Sequence, residues 1–268
     1  MLFAVDVGNT NIVLGCINDN GVSFIERLST DTKATEMEYA IRIKNVFDIH
    51  NVSCESIEGC IISSVVPQLT DLIRKAAGKL MDVPVKIVGP GVKTGLNIRI
   101  DDPATLGSDL LVDSVAAIAE YPVPAIIIDM GTATTFCVIN SKKQYIGGLV
   151  VPGVKTSLQS LVNNTSLLQH ISLQPPKKLI GSNTMDAMRG GIIYGNASMV
   201  DGMIDRIRDE VGEECTLIAT GGLARDIIPW CRHNIVIDDD LLLKGLKLIY
   251  EKNKKQHSGN AAERKDGR

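Results

Sequence analysis

The chain has 268 residues, 44% of them hydrophobic, and a formal net charge of -3. That length allows one or two domains around a substantial core. With no basic stripe and no apolar run long enough to cross a bilayer, the composition argues against a nucleic-acid partner and against a membrane span.

The first element expected is a buried strand over Leu2 to Val7, broken at Gly8 and returning as a second strand over Ile12 to Ile17. A third strand is expected over Gly21 to Leu28. Threonines in the polar stretch from Ser29 to Thr35 can cap a helix whose apolar spacing predicts Glu36 to Ile49. Ser56 to Val66 reads as a strand ended by Pro67. Gln68 to Met81 reads as an amphipathic helix, and Val83 to Val88 as a short strand closed by Gly89-Pro90-Gly91. The pattern restarts at Ala125, with a strand to Asp129 and a returning strand over Phe136 to Ile139. A strand over Gln144 to Val151 and helices from about Lys155 to Val162 and from Ser198 to Val211 come next. The expected series ends with strand Thr216 to Ala219, a short helix near Ala224 to Trp230, strand Ile235 to Ile237 and a helix from Leu241 to Tyr250. The Lys-, Asn-, Gly- and Glu-rich residues 252–268 are expected to be disordered.

The scattered cysteines and histidines form no C-x-x-C pair and no ligand spacing, so neither a zinc site nor a disulfide framework is expected. Lacking a basic n-region before its first apolar run, the chain is expected to be soluble and cytosolic.

Asp6-Val7-Gly8-Asn9-Thr10 places one carboxylate, a glycine and two small polar residues between apolar runs. Such a turn is either an ordinary hairpin whose Asp and Asn serve the turn, or a cradle of backbone N–H groups for phosphate oxygens. In the second case Gly8 permits close approach and Asp6 can hold Mg²⁺ directly or through water. Asp129-Met130-Gly131-Thr132-Ala133-Thr134 repeats the same grammar. Two copies in one chain point to a duplicated α/β domain holding a nucleotide between two similar lobes. Asp129 is then a turn residue, a second magnesium ligand or the holder of a monovalent cation. Asp109, in Gly107-Ser108-Asp109, is either a helix N-terminal residue complementing the helix dipole or a general base that takes a proton from a hydroxyl attacking phosphorus. Thr132 and Gly221-Gly222 are candidates for phosphate and adenosine contact, and Thr184 either contacts substrate or caps the helix after it.

Taken together, these pieces resemble the type III pantothenate kinases of the actin-like ATPase and sugar kinase superfamily. Ser63-Ser64-Val65-Val66-Pro67, Gly89 to Gly95, Gly147-Gly148, Pro152-Gly153, Gly181-Ser182-Asn183-Thr184 and Thr220-Gly221-Gly222 join the two Asp–Gly loops and Gly107-Ser108-Asp109 in the same order. The resemblance covers residues 1 to about 250. It implies a duplicated ribonuclease H-like fold, with lobes over residues 1–118 and 119–251, and transfer of the ATP γ-phosphate to the hydroxyl of pantothenate, the first step of coenzyme A synthesis. It further implies that Asp6, Val7, Gly8, Asn9, Thr10, Asn11, Ile12 and Val13 form the ATP loop, with Thr132 also contacting ATP. Asp109 is the implied proton acceptor. Gly107, Ser108, Asp109, Leu110 and Thr184 are the implied substrate contacts, Asp129 the site of K⁺ or NH4⁺, and the chain a homodimer. Two positions depart from the pattern. The family carries Arg where this chain has Leu110, and Asn where it has Asp113, leaving Lys155 or Arg189 as alternative cations. The departure at Leu110 motivates a second reading, a non-catalytic nucleotide- or pantothenate-binding regulator. A filament-forming or chaperone-like ATPase is a third, against which the short chain counts.

Overall fold

The computed structural model describes residues 1–262, and side chains as far as residue 254. In chain order the strands and helices are β1 (Leu2–Val7), β2 (Asn11–Asn18), β3 (Gly21–Ser29), α1 (Glu36–Ile49), β4 (Gly59–Ser64), α2 (Pro67–Leu80), β5 (Val85–Ile87), β6 (Asn97–Ile98), α3 (Ser108–Glu120), β7 (Ala125–Met130), β8 (Ala133–Ile139), β9 (Gln144–Pro152), α4 (Val154–Asn163), α5 (Thr184–Val211), β10 (Thr216–Thr220), α6 (Ala224–Ile227), β11 (Val236–Ile237) and α7 (Leu241–Ala262).

The chain divides into two units. The first comprises Met1–Gly95, Ala104–Ala116 and the residues from Asp240 onward; the second comprises Leu96–Pro103 and Ala117–Asp239. The five-stranded sheet of the first unit runs β3-β2-β1-β4-β5. The six-stranded sheet of the second runs β11-β10-β7-β8-β9-β6. Leaving out β6, the second order is the first read backwards: an antiparallel three-strand meander extended by two parallel strands. This is the duplicated ribonuclease H-like fold of the actin-like ATPases.

In the first unit, side-chain alternation sets which face each residue serves. Phe3, Val5 and Val7 of β1 and Cys60 and Ile62 of β4 pack under α1 and α2 with Tyr39, Ile43, Phe47, Leu69 and Ile73. Leu2, Ala4 and Ile61 point to the opposite face, where Val112 of α3 and Leu243, Leu246 and Ile249 of α7 cover them. Helix α1 starts where the threonines predict. Thr35 caps it, and a reciprocal bond from the Thr35 N–H to Glu38 completes a capping box, worth about 1 kcal/mol. Pro67 does not merely end β4; it opens α2 at the first helical position, where its missing N–H has no cost.

Three sequence expectations are corrected. Helix α5 begins at Thr184, not Ser198. Gly190, Gly191 and Gly195 lower the helix propensity of its first half, yet Gly190 is required there because a side chain would collide with the Leu179 carbonyl. The lobe boundaries 1–118 and 119–251 differ from the observed units over residues 96–103, 117–118 and 240–251. β6 extends the second sheet by pairing with β9, and α7 packs on the first sheet. Finally, residues 252–262 of the expected disordered tail continue α7. Asn253 is buried, accepting from the Lys93 N–H and donating to the Lys93 carbonyl, which ties this turn to the first unit. The rest of that tail, residues 263–268, lies outside the described residues.

Among the described residues no helix is long and apolar enough to cross a membrane, and no group of three or more His, Cys, Asp or Glu side chains could hold a metal. All six cysteines are free, four of them buried. Burial pushes the Cys16 thiol up to about 12, so it behaves as a small hydrophobe.

Candidate active site

In the first unit the site grows from the carboxyl end of β1. Asp6 follows Leu2 and Ala4 in the alternation and so shares the face covered by α3 and α7. Its neighbour across the parallel pair is Ser63, which shares that face with Ile61. The loop Gly8-Asn9-Thr10 then joins β1 to β2. Gly8 donates its N–H to the Asn11 carbonyl at 3.0 Å, and a β-carbon on Gly8 would stand only 3.0 Å from that oxygen. The glycine is needed for closeness. It is not among the positive-φ residues, so the conformational freedom expected of it is not what the turn uses. Asn9, Thr10 and Asn11 are exposed at the rim.

Thr30 holds this loop from outside. Its hydroxyl donates to the Gly8 carbonyl at 2.6 Å and its N–H to the Thr10 carbonyl at 3.0 Å. Each bond adds about 1 kcal/mol of net support. The sequence reading passes over Thr30, although a hydroxyl residue directly after a strand that pairs with the loop strand was a usable signal.

Helix α3 brings Asp109 to the same sheet face. The Ser108 hydroxyl accepts from the Ser63 hydroxyl (3.0 Å) and the Ser64 N–H (3.1 Å), and donates to the Ser64 carbonyl (3.0 Å). The first turn of α3 is thereby fastened to the end of β4, one strand from Asp6. Asp109 Oδ1 accepts from the Leu110 N–H at 2.9 Å. Gly107 makes room for this carboxylate, since a side chain there would collide with Asp109 Oδ1. Asp109 therefore lies in the first turn of a helix whose first residue is bonded to the end of β4, the strand registered against β1. Burial raises its pKa above the usual carboxylate value, an effect opposed by the N–H groups of Leu110 and of Asp109 itself. A carboxylate so raised is a better proton acceptor near neutral pH.

Within the second unit, Asp129 takes the position equivalent to Asp6. It is the penultimate residue of β7, registered against Thr220 of β10 and Thr135 of β8. The loop to β8 is shorter, Gly131-Thr132, closed by the Gly131 N–H on the Ala133 carbonyl at 3.0 Å. The Thr132 carbonyl accepts from the Thr156 hydroxyl (2.7 Å) and the Gly153 N–H (3.2 Å). Gly221 has φ +91°, and a side chain there would run into the Asp129 carboxylate and the Met130 backbone. The backbone after β10 is thus pressed against Asp129. Thr184 is the exposed first residue of α5, and the capping role belongs to Asn183, which accepts from the Asp186 N–H at 2.9 Å. Arg189 is engaged with Asp186 and Ser172, and Lys155 is exposed.

The first-unit residues suit a metal–triphosphate. A carboxylate at the foot of a tight, exposed loop fits a hard cation that keeps its waters and takes phosphate oxygens as its other ligands. It does not fit an ion needing a full protein cage.

Comparison with known proteins shows the family. The sequence model of the type III pantothenate kinase family matches residues 2–206. A type III pantothenate kinase of Halalkalibacterium halodurans is 45% identical over 253 residues, covering 94% of this chain and all of that protein. Another, from Exiguobacterium, is 45% identical over 255 residues, covering 95% of this chain and all of that protein. Among solved structures, the activator of 2-hydroxyisocaproyl-CoA dehydratase from Clostridium difficile with bound ADPNP is similar with a TM-score of 0.53 at 11% identity, over 97% of each chain; that likeness is one of fold. The chain belongs to the type III pantothenate kinase family.

Proposed function

We propose that this protein transfers the γ-phosphate of ATP to the hydroxyl of pantothenate, giving 4'-phosphopantothenate and ADP. The observation that supports the reading is the fastening of Ser108, the residue before Asp109, to Ser63 and Ser64 of β4, Ser63 being registered against Asp6. Asp109 accepts the hydroxyl proton. The freed oxygen bonds to the γ-phosphorus while the bond from that phosphorus to the β,γ-bridging oxygen breaks, and the electron pair leaves with ADP.

In this reading Asp6 to Val13 cradle the phosphates. Mg²⁺ at Asp6, direct or through water, would neutralise phosphate oxygens. Gly107, Ser108, Leu110 and Thr184 contact the acceptor, Thr132 contacts ATP, and Asp129 holds K⁺ or NH4⁺. Leu110 brings no charge of its own. Loop N–H groups and bound cations therefore meet the charge of the moving phosphoryl group. The protein works as a homodimer, a reading supported by the exposed apolar Ile146, Leu149 and Val150 on the second unit.

The test is an assay of purified protein with Mg-ATP, K⁺ and pantothenate. Formation of phosphopantothenate is expected; ATP binding without product would refute the activity and favour a nucleotide-binding regulator.

A further inference from the structure

We infer that Ser63 is a positioning residue for this phosphoryl transfer: its buried hydroxyl, acting through Ser108, sets where Asp109 stands above the end of β1. The inference rests on Asp109 being the proton acceptor.

Ser63 is 0% exposed at the end of a strand whose other members are glycine, cysteine, isoleucines and a second serine. A hydroxyl buried there costs free energy unless it makes a bond, and alanine would fill the position without that cost. The bond it makes leads to the first turn of α3. A serine hydroxyl has one proton to give and two lone pairs. Ser108 gives its proton to the Ser64 carbonyl and receives from the Ser64 N–H and from Ser63, so its capacity is full. Because Ser108 has already donated, the proton between the two serines must come from Ser63. The direction of the bond is thereby fixed.

Two of the three bonds join Ser108 to the Ser64 backbone, which any residue at 64 would provide. The third depends on a side chain, and that side chain belongs to the residue registered against Asp6. Ser63 thus couples the strand end that presents the phosphate loop to the residue immediately before Asp109. A displacement of the base by about 1 Å is enough to lose about 10²-fold in rate.

The experiment compares kcat and the ATP KM of Ser63→Ala, Ser63→Cys and Ser108→Ala with those of the unaltered protein. Ser63→Ala is expected to lower kcat about tenfold and Ser108→Ala about 10²-fold, with the ATP KM unchanged within about twofold. Ser63→Cys, which keeps a weaker donor, should fall between Ser63→Ala and the unaltered protein. If Ser63→Ala does not fold, Ser63→Cys decides alone, because Ser108 is also read as an acceptor contact: a kcat equal to that of the unaltered protein overturns the inference. A kcat within twofold of normal in the alanine variants overturns the inference, as does a fall in kcat accompanied by a comparable rise in the ATP KM, which would mean damage to the phosphate loop. Absence of product from the unaltered protein is a different result: it overturns the phosphotransfer reading itself, and the positioning role with it.

Discussion

The two Asp–Gly hairpins share a strand grammar and a sheet position, but their surroundings differ. Asp6 is followed by a three-residue loop held by Thr30, and its parallel neighbour Ser63 reaches out to α3. Asp129 is followed by a two-residue loop held by Gly153 and Thr156, and the turn after its parallel neighbour Thr220 folds back on the carboxylate at Gly221. The first hairpin is built to meet a helix carrying a second carboxylate. The second is built to enclose its own aspartate with backbone. Duplication supplied the same scaffold twice, and the copies differ in what meets the parallel strand beside each aspartate: helix α3 in the first, the turn after β10 in the second.

The glycines separate the copies further. A β-carbon on Gly8 would crowd the Asn11 carbonyl, whereas one on Gly131 would stand 3.6 Å from its nearest neighbour, an ordinary contact.

If the hairpins have these separate roles, their aspartates should fail differently. Asp6→Asn should lower kcat/KM for ATP by about 10²-fold, because the charge that meets the metal–phosphate is gone. Asp129→Asn should instead raise the K⁺ concentration needed for half activation by about tenfold or more, with saturating K⁺ restoring much of the rate. Steady-state kinetics at varied Mg-ATP and K⁺ check both; identical phenotypes would break the comparison. A smaller effect is expected from the loop glycines. Gly8→Ala should cost about tenfold in kcat/KM for ATP, while Gly131→Ala should stay within about threefold. The smallest concerns stability. Burial raises the Asp109 pKa, so its native-state contribution is favourable below the ordinary carboxylate value of 3.8 and is lost as pH rises through the raised value. Asp109→Asn removes the buried charge and should raise the melting temperature by about 2 °C near neutral pH. The gain should shrink toward zero below the ordinary carboxylate value. A drop at neutral pH would show that the carboxylate's helix-end bonds outweigh its desolvation.

Much of this was legible in the sequence because it is local. The apolar–Asp–x–Gly pattern fixed both hairpins, and the apolar spacing of Met37, Ile41, Ile43, Val46 and Phe47 matched helix Glu36–Ile49, although only Ile43, Val46 and Phe47 of these face the core while Met37 and Ile41 are exposed. What stayed hidden depends on contacts distant in sequence. Nothing in Leu241 to Asn253 says that this helix packs on the first sheet; Leu243, Leu246 and Ile249 do so only because Leu2, Ala4 and Ile61 present an apolar face there. The glycines of α5 weaken its helical signal because one is chosen for its close fit to the Leu179 carbonyl. Ser63 and Ser108 lie 45 positions apart, and their bond was beyond any reading of local pattern.

The central claim is that Asp109 takes the proton in a phosphoryl transfer prepared by the Asp6 hairpin. Rapid-quench measurement of a single turnover, with Mg-ATP and pantothenate bound to the Asp109→Asn protein, tests it most directly. The account predicts full ATP occupancy with phosphopantothenate forming at least about 10²-fold more slowly than in the unaltered protein. Formation at the unaltered rate would contradict it.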